Sequence, residues 1–234
     1  MLPLPPATQA LLLINVGVYF LSELTGNWLL NYGALWPLGN HFLPWQILSY
    51  GFLHGSLAHL GFNMLTLWLF APELERVWGP KRFVQFFLVS VGVAGVVQLI
   101  VSMLLGSGAP TVGASGGLFG LLLGYALVFP NRQFDAIGFL PVLLLMIPSP
   151  VANMLGIVLF FVLFTNRQAL PFLRPIPIPA LTYVALFGAM QLIFGIFSTR
   201  SGIAYFAHLG GMLGGWLMLR YWRGQPPFGA GRRR

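Results

Sequence analysis

The sequence predicts an all-α fold, a polytopic bundle of transmembrane helices, and three observations predict it. Hydrophobic residues make up 57% of the 234-residue chain and charged residues only 7%, against roughly 25% charged in a soluble domain. The chain therefore has neither the charge of a soluble globule nor the low hydrophobicity of a disordered one. Mean hydropathy is +0.83, with 29 Gly and 18 Pro, and both residues are commoner in membrane helices than in soluble ones.

The same composition removes whole classes of chemistry. There is no Cys, which excludes disulfides, thiolate metal sites and cysteine nucleophiles. One Asp in the whole chain, Asp135, excludes an aspartyl dyad, and no His-Glu-x-x-His string suggests a zinc peptidase. Neither a metal nor a cofactor is expected. The net charge of +8 does not point to nucleic acid, because the basic residues stand singly between apolar runs, as orientation signals do. The partner implied by composition is the lipid bilayer.

The elements follow in order. Met1–Gln9 carries no Lys or Arg, so it lacks the basic n-region of a signal peptide and no cleavage is expected. Apolar runs then predict span 1 over Ala10–Leu24, span 2 over Leu57–Ala71, span 3 over Phe83–Leu105, span 4 over Ser115–Phe129, span 5 over Ala180–Phe197 and span 6 over Ile203–Arg220. A polar-aromatic loop, Thr25–Ser56, joins the first two. Several runs are shorter than the ~20 residues that cross a bilayer, so their ends extend into the loops or the bilayer thins around them. The whole of 1–234 reads as one membrane domain. Residues 134–168 form an inserted apolar block, and 224–234 a basic tail.

Basic residues orient the spans. Eleven of the twelve fall on one side: Arg76, Lys81 and Arg82 after span 2; Arg132, Arg167 and Arg174 between spans 4 and 5; Arg220, Arg223 and Arg232–Arg234 after span 6. Arg200 alone lies on the other. The positive-inside rule then places both termini in the cytoplasm, as expected of a multi-pass protein of a bacterial inner membrane.

Three polar sites remain inside this apolar frame. In Gly113-Ala114-Ser115-Gly116-Gly117, turn-forming glycines lead into a helix, whose unpaired N–H groups and dipole would stabilise an oxyanion beside Ser115. Gly116, Gly120 and Gly124 recur every four residues on one face. Span 6 carries His208 followed by Gly211 and Gly215, a second small-residue face, and two such faces let helices approach closely. A histidine brought to a serine in this way can take its proton, without which serine is a poor nucleophile. On span 2, His59 and Asn63 share one helical face at i, i+4, and both can donate to an oxyanion. Each motif also has a packing explanation, since Gly, Ser, His and Asn all serve membrane helix contacts. His41 and His54 read as loop histidines with water at hand. Ser115, His208 and His59 all fall near the outer ends of their spans, although the orientation was derived from charge alone.

Taken together, His59-x-x-x-Asn63, Gly113-Ala114-Ser115-Gly116 and Ala207-His208-x-x-Gly211-x-x-x-Gly215 resemble the rhomboid intramembrane serine proteases, over nearly the whole chain except the block between spans 4 and 5. The resemblance implies a six-span bundle in which Ser115 is the nucleophile, His208 the general base, and His59, Asn63 and the Ser115 N–H the oxyanion hole. It implies that Phe119 packs its ring on the base histidine, and that Gly113, Gly116, Gly120, Gly211 and Gly215 set the packing around the site. Gln46, after Trp45, stands where many members carry Arg, so the resemblance supplies no anchor for the outer loop. Glu75 matches a family glutamate, read here as a cap for its own turn at the end of span 2. Single-span membrane proteins are the substrates expected. A catalytically inactive, client-binding rhomboid-like protein is the alternative, and it would be marked by loss of the serine or histidine. A bis-histidine haem protein using His59 and His208 leaves the Gly-Ala-Ser-Gly string without a purpose.

Residues 134–168 must return to the side they leave, or Ser115 and His208 would lie in opposite leaflets. Pro148-Ser149-Pro150 breaks any single helix there. Two short arms, Ala136–Ile147 and Ala152–Phe164, are therefore expected to fold as a shallow hairpin on the cytoplasmic side.

Overall fold

Pro6 opens the first helix and Pro80 the fifth, each at a position where the missing N–H has no helical partner to lose. The computed structural model describes residues 3–39, 41–147, 149–197 and 204–225. Its helices are α1 (Pro6–Thr25), α2 (Asn27–Gly33), α3 (Gln46–Ser49), α4 (Leu57–Trp78), α5 (Pro80–Leu105), α6 (Ser115–Val128), α7 (Phe139–Met146), α8 (Pro150–Thr165), α9 (Ala180–Phe197) and α10 (Tyr205–Trp222). Two short strands, β1 (Gln133–Asp135) and β2 (Pro177–Pro179), pair antiparallel with Phe134 opposite Ile178. Arg200, Pro148 and residues 226–234 of the basic tail lie outside the described residues.

This is a mostly helical integral membrane protein. Among the described residues three helices, α1, α5 and α9, are long and apolar enough to cross a bilayer, and shorter apolar helices cover Ser115–Val128 and Pro150–Leu163. Helix α4 has the length, with 22 residues, but Glu73, Glu75 and Arg76 crowd its last turns.

Element boundaries move where a neighbour stabilises what the local sequence does not. Helix α1 begins at Pro6, before the expected Ala10, because the Glu75 carboxylate accepts from the Ala7 and Thr8 N–H groups at 2.9 and 2.7 Å and from the Thr8 hydroxyl at 2.7 Å. Those are orphan donors of a helix start, so Glu75 caps α1 and not the turn of its own helix. Helix α4 runs through Pro72 to Trp78 rather than stopping at Ala71. It ends at Gly79, whose φ of 77° few other residues adopt. The loop expected over Thr25–Ser56 holds α2, α3 and a 3₁₀ turn at Tyr50–Phe52.

The chain forms two compact units, Met1–Val128 with Gly188–Arg234, and Phe129–Phe187. In the first, α10 packs most extensively on α5 and α6, α5 also packs on α6, and α4 lies against α1 and α6. Phe83, Phe86, Phe87 and Val91 of α5 are fully buried there. In the second, α7 packs on α8. The Asp135 carboxylate accepts from the Ile137 and Ile176 N–H groups, both at 3.0 Å. Phe139 stacks on Tyr183 with ring centroids 4.0 Å apart.

Candidate functional site

The site is built where α6 and α10 cross. A Cβ at Gly211 would fall on the Gly116 carbonyl, one at Gly215 would lie 2.9 Å from the Gly120 carbonyl oxygen, and one at Gly120 would meet the Gly211 carbonyl oxygen at 2.8 Å and collide with Ser90. Only hydrogen fits at these points, so the two backbones touch. Gly116 also faces Ala94 of α5, and Gly124 faces Phe86 and Trp78. A second glycine face, Gly210 and Gly214, does the same for α5. Their Cβ positions would come within 2.9 Å of the Ala94 Cα and 3.0 Å of the Ser90 Cα.

This close crossing brings Ser115 and His208 together. Ser115 Oγ lies 2.8 Å from His208 Nε2. Ser115 is half-buried, whereas His208 is buried. Phe119, one turn after Ser115, stacks on the imidazole with centroids 4.3 Å apart and planes 8° from parallel. On its far side the ring makes a second contact, from Nδ1 to Gln191 Oε1 at 2.7 Å. Sequence reasoning did not select Gln191. The signal was there: it is an amide in the middle of the apolar helix α9, and polar groups in such places are costly enough to need a reason.

The approach to Ser115 is held from the opposite side. Gly113 has φ of 129°, a conformation side chains rarely adopt. A Cβ on it would lie 2.7 Å from His59 Cε1, 2.8 Å from His59 Nε2 and 3.5 Å from Ser115 Oγ. His59 and Ser115 thus face one another across a bare glycine. The Gly113 N–H donates to the Tyr50 carbonyl at 3.0 Å, and the Tyr50 hydroxyl donates to the Val91 carbonyl at 2.9 Å. Thr111 and Leu35 exchange N–H···O bonds, each 2.9 Å. The segment before α6 is therefore strapped to the loop between α1 and α4 and, through it, to α5.

His59 sits in the first turn of α4, where Ser56 Oγ caps its N–H at 3.2 Å. One turn on, Asn63 is buried, and its Nδ2 has no hydrogen-bond partner among the described residues. A buried orphan donor is costly, and it is ready to serve a ligand that brings an acceptor. The first N–H groups of α6 are likewise unpaired within their helix. The arrangement offers a hydroxyl with a nitrogen base on one side and several N–H donors on the other.

His54 departs from the expected water-exposed loop histidine. It is 3% exposed, and its ring stands edge-on to His59 with centroids 5.1 Å apart. Burial, helped by the charge of His59, lowers its pKa to about 4. His41 is exposed, as expected, beside Trp36. The anchor missing from the Trp45-Gln46 comparison is Gln46 itself, which is fully buried. Its Oε1 accepts from the Trp36 and Leu43 N–H groups at 3.3 and 3.2 Å, and its Nε2 donates to the His41 carbonyl at 3.2 Å. A neutral amide thus fastens the loop between α1 and α4 from within.

Comparison with known proteins gives one family. The model of the rhomboid domain matches residues 41–160 and 148–224. The chain is 31% identical over 130 residues to Rhomboid protease GlpG of Klebsiella pneumoniae, covering 55% of this chain and 45% of that protein. It is 33% identical over 127 residues to Rhomboid protease GluP of Bacillus subtilis, covering 50% and 24%. Against Rhomboid protease GlpG of Serratia proteamaculans it is 30% identical over 129 residues, covering 54% and 44%. In each case the match spans less than half of the relative's own length.

Proposed function

The chain belongs to the rhomboid family, and on that premise we propose that it is an intramembrane serine endopeptidase with Ser115 as nucleophile and His208 as general base. The observation that carries this reading is the 2.8 Å approach of Ser115 Oγ to His208 Nε2. Both distance and partner suit proton transfer during attack. The likeness to relatives named rhomboid proteases supports the same class of reaction.

In this mechanism Ser115 Oγ attacks the scissile carbonyl while its proton passes to His208 Nε2. The oxyanion accepts from Asn63 Nδ2, His59 and the Ser115 N–H. These donors are worth most where water is excluded and charge develops. The tetrahedral intermediate collapses by expelling the amine, which takes the proton from His208 and leaves an acyl-enzyme. A water molecule then gives its proton to the same nitrogen, attacks the ester, and releases the acid with Ser115 restored. Substrate helices hide their carbonyls in their own hydrogen bonds, so cleavage requires local unwinding and favours helix-breaking residues near the cut.

We read the protein as a six-span bundle, α1, α4, α5, α6, α9 and α10, with both termini cytoplasmic, acting on single-span membrane proteins. Helices α7 and α8 then form an inserted hairpin that returns the chain to the side it left. The test is reconstitution in liposomes with a labelled single-span substrate. The wild type should cleave it and bind a fluorophosphonate probe, and Ser115→Ala should do neither. Full cleavage by Ser115→Ala would remove the assignment.

A further inference from the structure

We propose that Gln191 is the positioning residue of this site, its amide oxygen fixing the tautomer and orientation of His208 where serine hydrolases with a triad use a carboxylate. The inference rests on reading Ser115 and His208 as the reacting pair, but its own geometry is separate. Gln191 Oε1 lies 2.7 Å from His208 Nδ1. An amide oxygen only accepts, so Nδ1 must carry the hydrogen. A neutral imidazole has one N–H, so Nε2 is bare and accepts from the Ser115 hydroxyl at 2.8 Å. The opposite tautomer would set Nε2–H against Ser115 and a lone pair against Oε1, leaving no nitrogen to take the serine proton.

Burial makes the selection firm. Gln191 is 3% exposed and His208 9%, so water competes little for Nδ1. Phe119 lies flat on the ring and limits its tilt. Gln191 Oε1 therefore fixes the one remaining freedom, rotation of the ring about its bond to Cβ. When His208 becomes imidazolium, the Nδ1–H···Oε1 bond becomes charge-assisted and strengthens, so the contact favours the transition state over the resting state.

The experiment reads the tautomer directly in the full chain. With ¹⁵N-histidine incorporated and His208 assigned by its loss in His208→Ala, two-bond ¹⁵N–¹H correlations in micelles should place the hydrogen on Nδ1 in the wild type. Gln191→Leu should give a mixture or Nε2–H. A wild-type Nε2–H form, or a tautomer unchanged in Gln191→Leu, overturns the proposal. In liposomes, folded Gln191→Leu should lose about 10²-fold in kcat, within the range of general-base contributions, with KM unchanged. Gln191→Glu, which keeps an acceptor at this place, should recover most of it. A Gln191→Glu variant that folds yet stays as slow as Gln191→Leu would assign Gln191 to packing. If the wild type cleaves nothing, the protease reading fails, and the tautomer measurement still decides the role of Gln191.

Discussion

The α6–α10 crossing and the α7–α8 pair are both made of apolar helices, yet they are packed on opposite terms. At the crossing, glycines remove the Cβ atoms where the two backbones touch, and the space beside them holds polar side chains against one another. In α8, large apolar residues such as Val151, Val158 and Phe161 are more than half exposed, and the helix has no charged residue. The difference teaches where chemistry can live in an apolar protein. A hydroxyl and an imidazole survive there only where the helices come close enough for each to satisfy the other. A helix of branched and aromatic residues such as α8 leaves large apolar side chains exposed instead.

The first way to break this comparison is to remove the polar pair. Ser115→Ala and His208→Ala should each abolish cleavage in liposomes, and the double variant should be no worse than either. Residues acting as a unit are non-additive, and in a soluble serine protease loss of either one costs about 10⁶-fold in kcat. Additive losses would mean that the two act separately. Asn63→Ala should cost less, about 10²–10³-fold in kcat if it behaves like other oxyanion donors, because His59 and the backbone N–H remain. An unchanged kcat would assign Asn63 to helix packing.

How much of this was legible in the sequence depends on whether the information was periodic. Helix α9 has the bounds of its apolar run, Ala180–Phe197, and α6 begins at Ser115 as its glycine-led start implied. The faces Gly116/Gly120 and Gly211/Gly215 could be read because four-residue spacing marks one side of a helix. Gly210 and Gly214 share that spacing, yet nothing in the string says that α10 meets α5 as well as α6. Glu75 looked like a local cap, and its partners are 67 and 68 residues away. Gln191, Gln46 and His54 have partners chosen by tertiary approach, which periodicity does not encode. The string singled out Ser115 and His208 through their motifs, but their separation belongs to the packing.

The packing itself can be tested next. Gly211→Ala puts a methyl group onto the Gly116 carbonyl. Overpacking typically costs 1–3 kcal/mol, and here the obstacle is backbone, so the loss should reach about 3 kcal/mol. Steric trapping or thermal unfolding in micelles measures it, and cleavage should fall along with stability. A stable, active Gly211→Ala would mean that the crossing is looser than its geometry.

A smaller effect comes from His54, whose native pKa of about 4 lies below the ordinary 6.5. The unfolded chain takes up a proton near pH 6.5, and the folded chain resists until about pH 4. This group's contribution is therefore complete above pH 6.5 and is lost as the pH falls through that window, by at most about 3 kcal/mol. His54→Phe keeps a ring against His59 and removes the titration. The stability difference between wild type and variant should shrink or invert between pH 6.5 and 4 and be constant above. A difference that does not depend on pH would show that His54 is hydrated in the native state.

The smallest effect is expected in the α7–α8 pair, and it sharpens the comparison most. Val158→Ala truncates a side chain that is 53% exposed, so it leaves little cavity and loses little burial. Unfolding free energy and cleavage should both stay within about 0.5 kcal/mol of wild type, as for other changes away from packed features. A loss like that of Gly211→Ala would mean that this face is covered by protein in the membrane. Position 149 asks the accompanying question of side. Ser149 caps α8, its Oγ accepting from the Ala152 N–H at 3.4 Å, so Ser149→Cys gives up only a weak cap. At ~1.5 Å per residue, the 8 residues of α7 are too few to cross the ~30 Å of hydrocarbon. The connection to α8 should therefore stay on the side from which α7 enters. The thiol should react with an impermeant reagent only from the cytoplasmic face, or be protected. Labelling from the outside would require two full crossings and would put the start of α8 in the same leaflet as Ser115.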